Sequence, residues 1–210
     1  MYHKLQYISQ GNTSTEHLKN IQEALDAGCL WIQLRMKNFS SEEIENTANN
    51  VRLLCDKHKA VFIMNDNVTI AKNCKADGVH LGLSDMSVKE ARKILGDDKI
   101  IGGTANTITD VLQRINENCN YIGLGPFRFT STKDKLSPIL GAEGYKNIIS
   151  KLNETQQQTP VYAIGGVLAD DVECIVNSGI YGVAVSGIIT KAENKTQLIE
   201  HFNNSLHATT

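Results

Sequence analysis

The sequence predicts an α/β fold in which eight parallel strands alternate with helices and close into one (β/α)8 TIM barrel spanning residues 1–210. Short apolar runs alternate with segments of helical spacing along the chain, and polar side chains collect where the apolar runs end. A doubly wound open sheet is the structural alternative. That fold normally carries a GxGxxG turn after its first strand, which residues 9–13 do not supply.

The predicted strands are continuous apolar runs that are rich in Val and Ile or flanked by glycine. None alternates cleanly with polar residues, which is typical of a sheet covered on both faces. We predict strands at 5–9, 30–35, 61–65, 78–81, 100–104, 121–125, 161–165 and 182–186.

The segments between these runs repeat apolar residues every three or four positions. This spacing predicts helices over 16–27, 42–56, 88–95, 110–115 and 170–176. Ser41 and Ser87 resemble N-caps, since acidic residues follow within the first turn. Gly28, Gly96 and Gly179 each follow a helical run and are predicted to end it.

Composition limits the function classes. The chain has a formal net charge of −2 and so lacks the excess of basic residues that is typical of nucleic-acid-binding proteins. No apolar run approaches a membrane span, and no signal peptide is visible, so we expect a cytoplasmic protein. The five cysteines are scattered, which disfavours a disulfide framework or a zinc site, and each is expected to be a small buried residue.

The second predicted strand ends in two cations. Strand alternation places Gln33, Arg35 and Lys37 on one face, directed into the mouth of the barrel. Buried cations require an anion, and the fork of an Arg side chain matches a diphosphate. An internal ion-pair cluster with acidic neighbours is the alternative.

Two carboxylates follow the next two predicted strands. Asp66 and Asp85 at adjacent strand ends, beside a proposed diphosphate, suit Mg²⁺. The alternative is that Asp66 caps a helix and Asp85 opens a turn. His80 is expected to be a hydrogen-bonded core residue, whereas Thr104 offers a hydroxyl to the mouth. Thr107 is expected to cap the following helix.

Hydroxyl groups and glycines complete the predicted mouth. A loop after the sixth strand carries three hydroxyls and a cation, and strands seven and eight end in glycine-containing turns that suit a phosphate. These residues are Thr130, Ser131, Thr132, Lys133, Gly165, Gly166, Ser186 and Gly187.

The ordered set of motifs resembles one family, the thiamine-phosphate synthases. The resemblance runs from strand two to strand eight. It is carried by residues 33–37, Asn65-Asp66, residues 77–82 with Asp85, residues 101–104, residues 121–126, Thr130 to Lys133, residues 164–166 and residues 182–185.

The resemblance implies an Mg²⁺-dependent transferase with two small-molecule substrates. It would join 4-amino-2-methyl-5-hydroxymethylpyrimidine diphosphate to a thiazole monophosphate, or to its carboxylated form, releasing pyrophosphate and thiamine monophosphate. By this resemblance Arg35, Lys37 and Lys133 would act in catalysis, and Asp66 and Asp85 would bind Mg²⁺. The implied pyrimidine diphosphate site is Gln33, Leu34, Arg35, Met36, Lys37, Asn65, Thr104 and Lys133. The implied thiazole phosphate site is Thr130, Ser131, Thr132, Gly166, Ser186 and Gly187.

The chain departs from the family pattern at Leu83, Asn106 and Phe129, where Gln, His and Pro are frequent. Altered local geometry is the expected consequence. Two other functions stay open: a thiazole tautomerase, whose related barrel uses a His near position 106, and a thiamine-phosphate sensor without catalysis. Asn106 cannot serve as a general base, and the intact anchors disfavour a sensor. Oligomeric state and the order of the 126–141 loop, a plausible lid, are also open.

Overall fold

The computed structural model describes residues 2–129 and 138–208, and its strands form a closed parallel barrel in chain order. Each strand pairs with its neighbours in sequence, and β1 pairs with β8 to close the barrel. The strands are β1 (Leu5–Ile8), β2 (Trp31–Leu34), β3 (Val61–Asn65), β4 (Gly78–Leu81), β5 (Ile100–Ala105), β6 (Tyr121–Leu124), β7 (Val161–Ile164) and β8 (Gly182–Val185).

Helices cover the outside of the barrel. Within the described residues they are α1 (Ser14–Asp26), α2 (Ser41–His58), α3 (Val68–Asn73), α4 (Val88–Leu95), α5 (Ile108–Asn116), α6 (Gly141–Ile149), α7 (Val172–Asn177), α8 (Gly187–Thr190) and α9 (Lys195–His207). Two 3₁₀ turns, Gln156–Gln158 and Ala169–Asp171, precede β7 and α7.

The predicted strands are all confirmed to within one residue at each end, and so are the Ser87 and Thr107 caps. The Ser41 cap is wrong. Ser40 caps α2, because its hydroxyl accepts from the Glu43 N–H while the Glu43 carboxylate accepts from the Ser40 N–H. Gly28, Gly96 and Gly179 each follow a helix with φ near +90°, as the predicted stops require.

The core has two parts. Aliphatic side chains fill the space between strands and helices. Inside the barrel, near the strand starts, Trp31, Tyr121 and Tyr162 pack together with ring centroids 5.0 to 5.6 Å apart. This aromatic layer fills the N-terminal half of the barrel interior, and the candidate site residues lie at the other end.

Four of the five cysteines are buried as expected, but Cys174 is exposed on α7, where the expectation is wrong. Among the described residues, no helix is both long enough and apolar enough to cross a membrane.

Candidate active site

Asp66 and Asp85 meet at the mouth of the barrel. Asp66 directly follows β3 with φ of +59°, and its N–H donates to the His80 carbonyl at 2.9 Å. Asp85 folds back so that its carboxylate accepts from the Gly82 N–H at 2.6 Å. The two carboxyl groups are in hydrogen-bonding contact, and burial together with this contact raises the pKa of Asp66 to about 7.

The structural alternative, in which Asp66 caps a helix and Asp85 opens a turn, is therefore only partly present. Asn67, and not Asp66, caps α3 by accepting from the Ile70 N–H at 3.0 Å. Asp85 does close a tight turn. Asp66 caps no helix, its backbone lies in the left-handed region, and its carboxyl group contacts that of Asp85. A purely structural role does not account for this combination.

Arg35 and Lys37 lie within electrostatic reach of this acidic pair. Both side chains line the mouth, and their positive charges lower the pKa of Asp66 against the larger effects of burial and Asp85. The Arg35 backbone N–H donates to the Ser9 hydroxyl at 3.0 Å, which fixes the chain just after β2. Two cations and two carboxylates thus share one end of the barrel.

Within residues 33–37, the side chains of Leu34 and Met36 do not face the mouth of the barrel. The side chains of Leu34 and Met36 are buried in the core between barrel and helices, so only their backbone can reach a ligand at the mouth. The Gln33 amide donates to the Asn65 side-chain oxygen at 2.7 Å, and the buried Gln33 oxygen has no hydrogen-bond partner in the described part of the chain.

Thr104 ends a chain of hydrogen bonds through the barrel interior. Gln6 donates to the Tyr121 hydroxyl at 3.3 Å, and Tyr121 and Thr104 each lie 3.0 Å from one ring nitrogen of His80. Where the Tyr121 O–H donates to Nδ1 of His80, the proton of the neutral imidazole is on Nε2, and the Nε2–H donates to the Thr104 hydroxyl. The Thr104 hydroxyl proton is then available to a ligand, and His80 is the hydrogen-bonded core residue that we predicted.

A cavity of about 730 Å³ opens at the carboxyl ends of β1, β2, β7 and β8. Its lining includes Arg35 and Lys37 but not Gln33, Asn65, Asp66, Asp85 or Thr104. Arg35 and Lys37 lie on one side of it, and Gly166, Ser186 and Gly187 lie on the other. Gly165 and Gly166 have φ of +86° and +74°, a conformation that favours glycine. Thr130, Ser131, Thr132 and Lys133 lie outside the described residues, so their predicted roles stay predictions.

A second cavity, of about 610 Å³, lies at the opposite end of the barrel. Its lining includes Tyr2, Pro160 and Tyr181, and no charged side chain is among the described residues that form it. It therefore does not suit a diphosphate.

Comparison with known proteins decides the family. The family model described as thiamine monophosphate synthase matches residues 5–189. The chain is 57% identical over 206 residues to the thiamine-phosphate synthase of Flavobacterium psychrophilum, covering 98% of this chain and 100% of that protein. The chain belongs to the thiamine monophosphate synthase family.

Further comparisons agree with this membership. The thiamine-phosphate synthase of Flavobacterium johnsoniae is 54% identical over 208 residues, covering 99% of this chain and 98% of that one. A thiamine phosphate pyrophosphorylase from Pyrococcus furiosus superposes with a TM-score of 0.83 at 27% identity, covering 98% and 96% of the two chains. Orotidine 5′-phosphate decarboxylase from Pyrococcus horikoshii, at 13% identity and a TM-score of 0.68, shares the fold alone.

Two of the departures from the thiamine monophosphate synthase pattern lie at the surface. Leu83 and Phe129 are 48% and 64% exposed, and neither displaces a predicted anchor. Asn106 has a structural use, because its side-chain amide donates to the Gly125 carbonyl at the start of the loop after β6.

Sequence reasoning missed the contribution of the first strand. Ser9, Gln10 and His17 line the same cavity, and the buried Gln10 side-chain oxygen has no partner in the described ranges. The signal was present, since Ser9 and Gln10 directly follow β1, as the predicted anchors follow the other strands. Arg128 was missed too, because no local pattern pairs it with Asp171, 43 residues away.

Proposed function

We propose that the mouth of this barrel joins the pyrimidine diphosphate to the thiazole phosphate to give thiamine monophosphate and pyrophosphate. The family membership assigns the chain to the transferases that make thiamine phosphate. The observation that carries the residue assignment is the placement of Arg35 and Lys37 beside the paired carboxylates of Asp66 and Asp85. We expect the reaction in the cytoplasm.

Arg35 and Lys37 bind the diphosphate in this proposal. Both side chains line the cavity, where Arg35 is half-buried and Lys37 is exposed to solvent. Gln33 and Asn65 are joined by a hydrogen bond and form an amide pair below the cations. The unpartnered Gln33 oxygen is suited to accept from the amino group of the pyrimidine.

Asp66 and Asp85 would hold Mg²⁺. Two acidic side chains in contact repel each other unless a proton or a cation lies between them. Burial raises the pKa of Asp66 most, and the contact with Asp85 raises it further. No cluster of three or more His, Cys, Asp or Glu side chains occurs among the described residues. The two carboxylates alone would hold the ion, and water and phosphate would complete its shell. The bound ion would neutralise charge that develops on the departing pyrophosphate.

Bond breaking needs charge stabilisation at this mouth and no strong base. As the pyrophosphate leaves, negative charge grows on its oxygens, which Arg35, Lys37 and Lys133 stabilise. The aminopyrimidine delocalises the positive charge that remains on its methylene carbon. The thiazole nitrogen attacks through its lone pair and has no proton to lose.

The thiazole phosphate occupies the other side of the cavity. Gly166, Ser186 and Gly187 line the cavity there. Thr130, Ser131 and Thr132, which lie outside the described residues, are expected to supply hydroxyls. The Ser186 side chain makes no capping hydrogen bond to α8, which leaves its hydroxyl for the ligand.

A tautomerase is not favoured. Isomerisation needs a proton carrier near position 106, but the Asn106 amide is committed to the Gly125 carbonyl and cannot act as a base.

Pyrophosphate release tests the proposal. The purified protein should release pyrophosphate only when both substrates and Mg²⁺ are present, and omission of any one should abolish release. Arg35→Gln should raise the KM for the pyrimidine diphosphate. Arg92→Gln, at the opposite end of the barrel, is the matched control and should leave that KM unchanged. The absence of pyrophosphate in the complete mixture would refute the proposal.

A further inference from the structure

Arg128 joins two loops at the mouth. It follows β6, and its guanidinium forms a two-point ion pair with Asp171, with distances of 2.5 and 2.9 Å. The guanidinium also stacks over the Phe127 ring, 5.0 Å from the ring centroid. Asp171 in turn accepts from the Leu168 N–H at 2.7 Å, which ties the ion pair to the loop after β7.

The same side chain contacts the glycine pair after β7. The Arg128 backbone N–H donates to the Gly165 carbonyl at 3.0 Å, and its guanidinium donates to the Gly166 carbonyl at 2.9 Å. A β-carbon on Gly166 would lie 2.5 Å from the Arg128 side chain, so the arginine packs directly against that glycine. Two successive carbonyls are thus drawn toward one residue.

Peptide geometry then fixes where the amides point. In a trans peptide the C=O and the following N–H point in opposite directions. With the carbonyls of Gly165 and Gly166 directed at Arg128, the N–H groups of Gly166 and Val167 are directed away from it. Gly165, Gly166 and Val167 line the cavity, whereas Arg128 is not among its described lining residues. Successive backbone N–H groups at a turn form an anion-binding concavity.

We propose that Arg128 is a positioning residue for the thiazole phosphate, acting by holding two peptide groups with their N–H groups facing the cavity. This inference rests on the proposed function, which places that phosphate at Gly166. Arg128 itself contacts the outer face of the loop and does not touch the substrate. A Lys at this position would keep the charge but lose the fork that serves Asp171 and the Gly166 carbonyl together.

Two variants and a control test the proposal. Arg128→Lys should raise the KM for the thiazole phosphate about tenfold while the KM for the pyrimidine diphosphate and kcat stay within about twofold. Asp171→Asn keeps the acceptor for Leu168 and should cause a smaller rise. Arg52→Lys is the control, because Arg52 pairs with Asp77 at 2.8 Å and Asp77 accepts a backbone N–H at 2.7 Å, at the other end of the barrel. It should leave both KM values unchanged.

A second measurement separates this inference from the proposed function. Inorganic phosphate, titrated by calorimetry into each protein, should bind more weakly to Arg128→Lys than to the wild type. Equal phosphate affinity, or a lowered Tm with both KM values unchanged, would overturn the positioning role. If the wild type releases no pyrophosphate, the proposed function fails, and the phosphate titration still decides whether Arg128 orders the cradle. If Arg128→Lys does not fold, the KM values and the phosphate affinity are measured on Asp171→Asn instead.

Discussion

The carboxyl group of Asp66 is in hydrogen-bonding contact with that of Asp85, although the two residues follow different strands. Burial and the neighbouring carboxylate raise the pKa of Asp66 to about 7, while Lys37 and Arg35 oppose that rise. A proton and a metal ion can each relieve the repulsion between the carboxylates. The two therefore compete for the same place.

This competition predicts pH-dependent metal binding. The affinity of the free protein for Mg²⁺ should rise on the order of tenfold between pH 6 and pH 8, because the proton on Asp66 must leave before the ion binds. Calorimetric titration in two buffers of different ionisation enthalpy would measure both the affinity and the released proton. Asp85→Asn should reduce the proton release without abolishing it, because burial still raises the pKa of Asp66. An affinity that is constant over this range would contradict the prediction.

Replacement of Asp66 by Asn is expected to stabilise the fold while it impairs the binding of Mg²⁺. The pKa of Asp66 lies above its unfolded value of 3.8, so its stabilising contribution is complete below about pH 3.8 and is lost as pH rises through 7. Asp66→Asn stays neutral, and Asn tolerates the positive φ at this site. In chelator at pH 8, its Tm should exceed that of the wild type by about 3 °C, on the order of 1 kcal/mol after solvent screening.

A thermal scan across pH would check this. The difference in Tm should be smaller at pH 5 than at pH 8, and the variant should need far more Mg²⁺ for activity. If its Mg²⁺ titration overlays that of the wild type, Asp66 has no metal-binding role.

The barrel could be predicted from sequence because its strands carry a redundant signal. Each is a continuous apolar run, and burial on both faces demands that pattern wherever the strand lies. Helices α3, α6, α8 and α9 were not predicted. Lys195–His207, for example, buries only Ile199, Phe202 and Leu206, and so presents a narrow apolar stripe among many polar residues.

The positions of the candidate site residues could be predicted as far as strand ends determine them, whereas their roles stay predictions. Arg35, Lys37, Asp66 and Asp85 are brought together because parallel strands deliver their carboxyl ends to one mouth. The ion pair of Arg128 with Asp171 joins two loops that are distant in sequence. Arg114, on α5, donates to the backbone carbonyls of Thr104 and Gly82. Strand position alone does not encode these contacts.

The Thr104 hydroxyl should be needed for both stability and binding. Thr104→Val removes the acceptor of the His80 Nε2–H and should cost about 1–3 kcal/mol of unfolding free energy. It should also raise the KM for the pyrimidine diphosphate. Thr104→Ser keeps the hydroxyl and should restore that KM. Urea unfolding and steady-state kinetics would measure the two effects, and equal KM values for Val and Ser would contradict the role in binding.

Lys133 is predicted to act on the departing diphosphate. Lys133→Ala should lower kcat by about a hundredfold, the scale of one lost electrostatic contact to the transition state, with little change in the KM for the thiazole phosphate. Single-turnover release of pyrophosphate would isolate the chemical step. The neighbouring Lys135→Ala is a matched control and should be near wild type. An unchanged kcat for Lys133→Ala would contradict the assigned role.

Arg114 should link the stability of the barrel to its metal requirement. It is buried behind the mouth, where it donates to the Thr104 carbonyl at 3.1 Å and to the Gly82 carbonyl at 2.8 Å. It also pairs with Glu117 at 2.8 Å. Because Gly82 anchors the turn that carries Asp85, loss of Arg114 should loosen that carboxylate.

Arg114→Ala should therefore reduce the free energy of unfolding by about 3–5 kcal/mol, since it leaves buried carbonyls and a carboxylate without their cation. Its activity should also require more Mg²⁺ at temperatures where it remains folded. Urea unfolding and Mg²⁺ titration of pyrophosphate release would measure both. Arg92→Ala is the control, because Arg92 donates to Asn120 at the opposite end of the barrel and should affect stability alone. An Arg114→Ala enzyme with the wild-type Mg²⁺ requirement would show that the Asp85 turn holds its shape without Arg114.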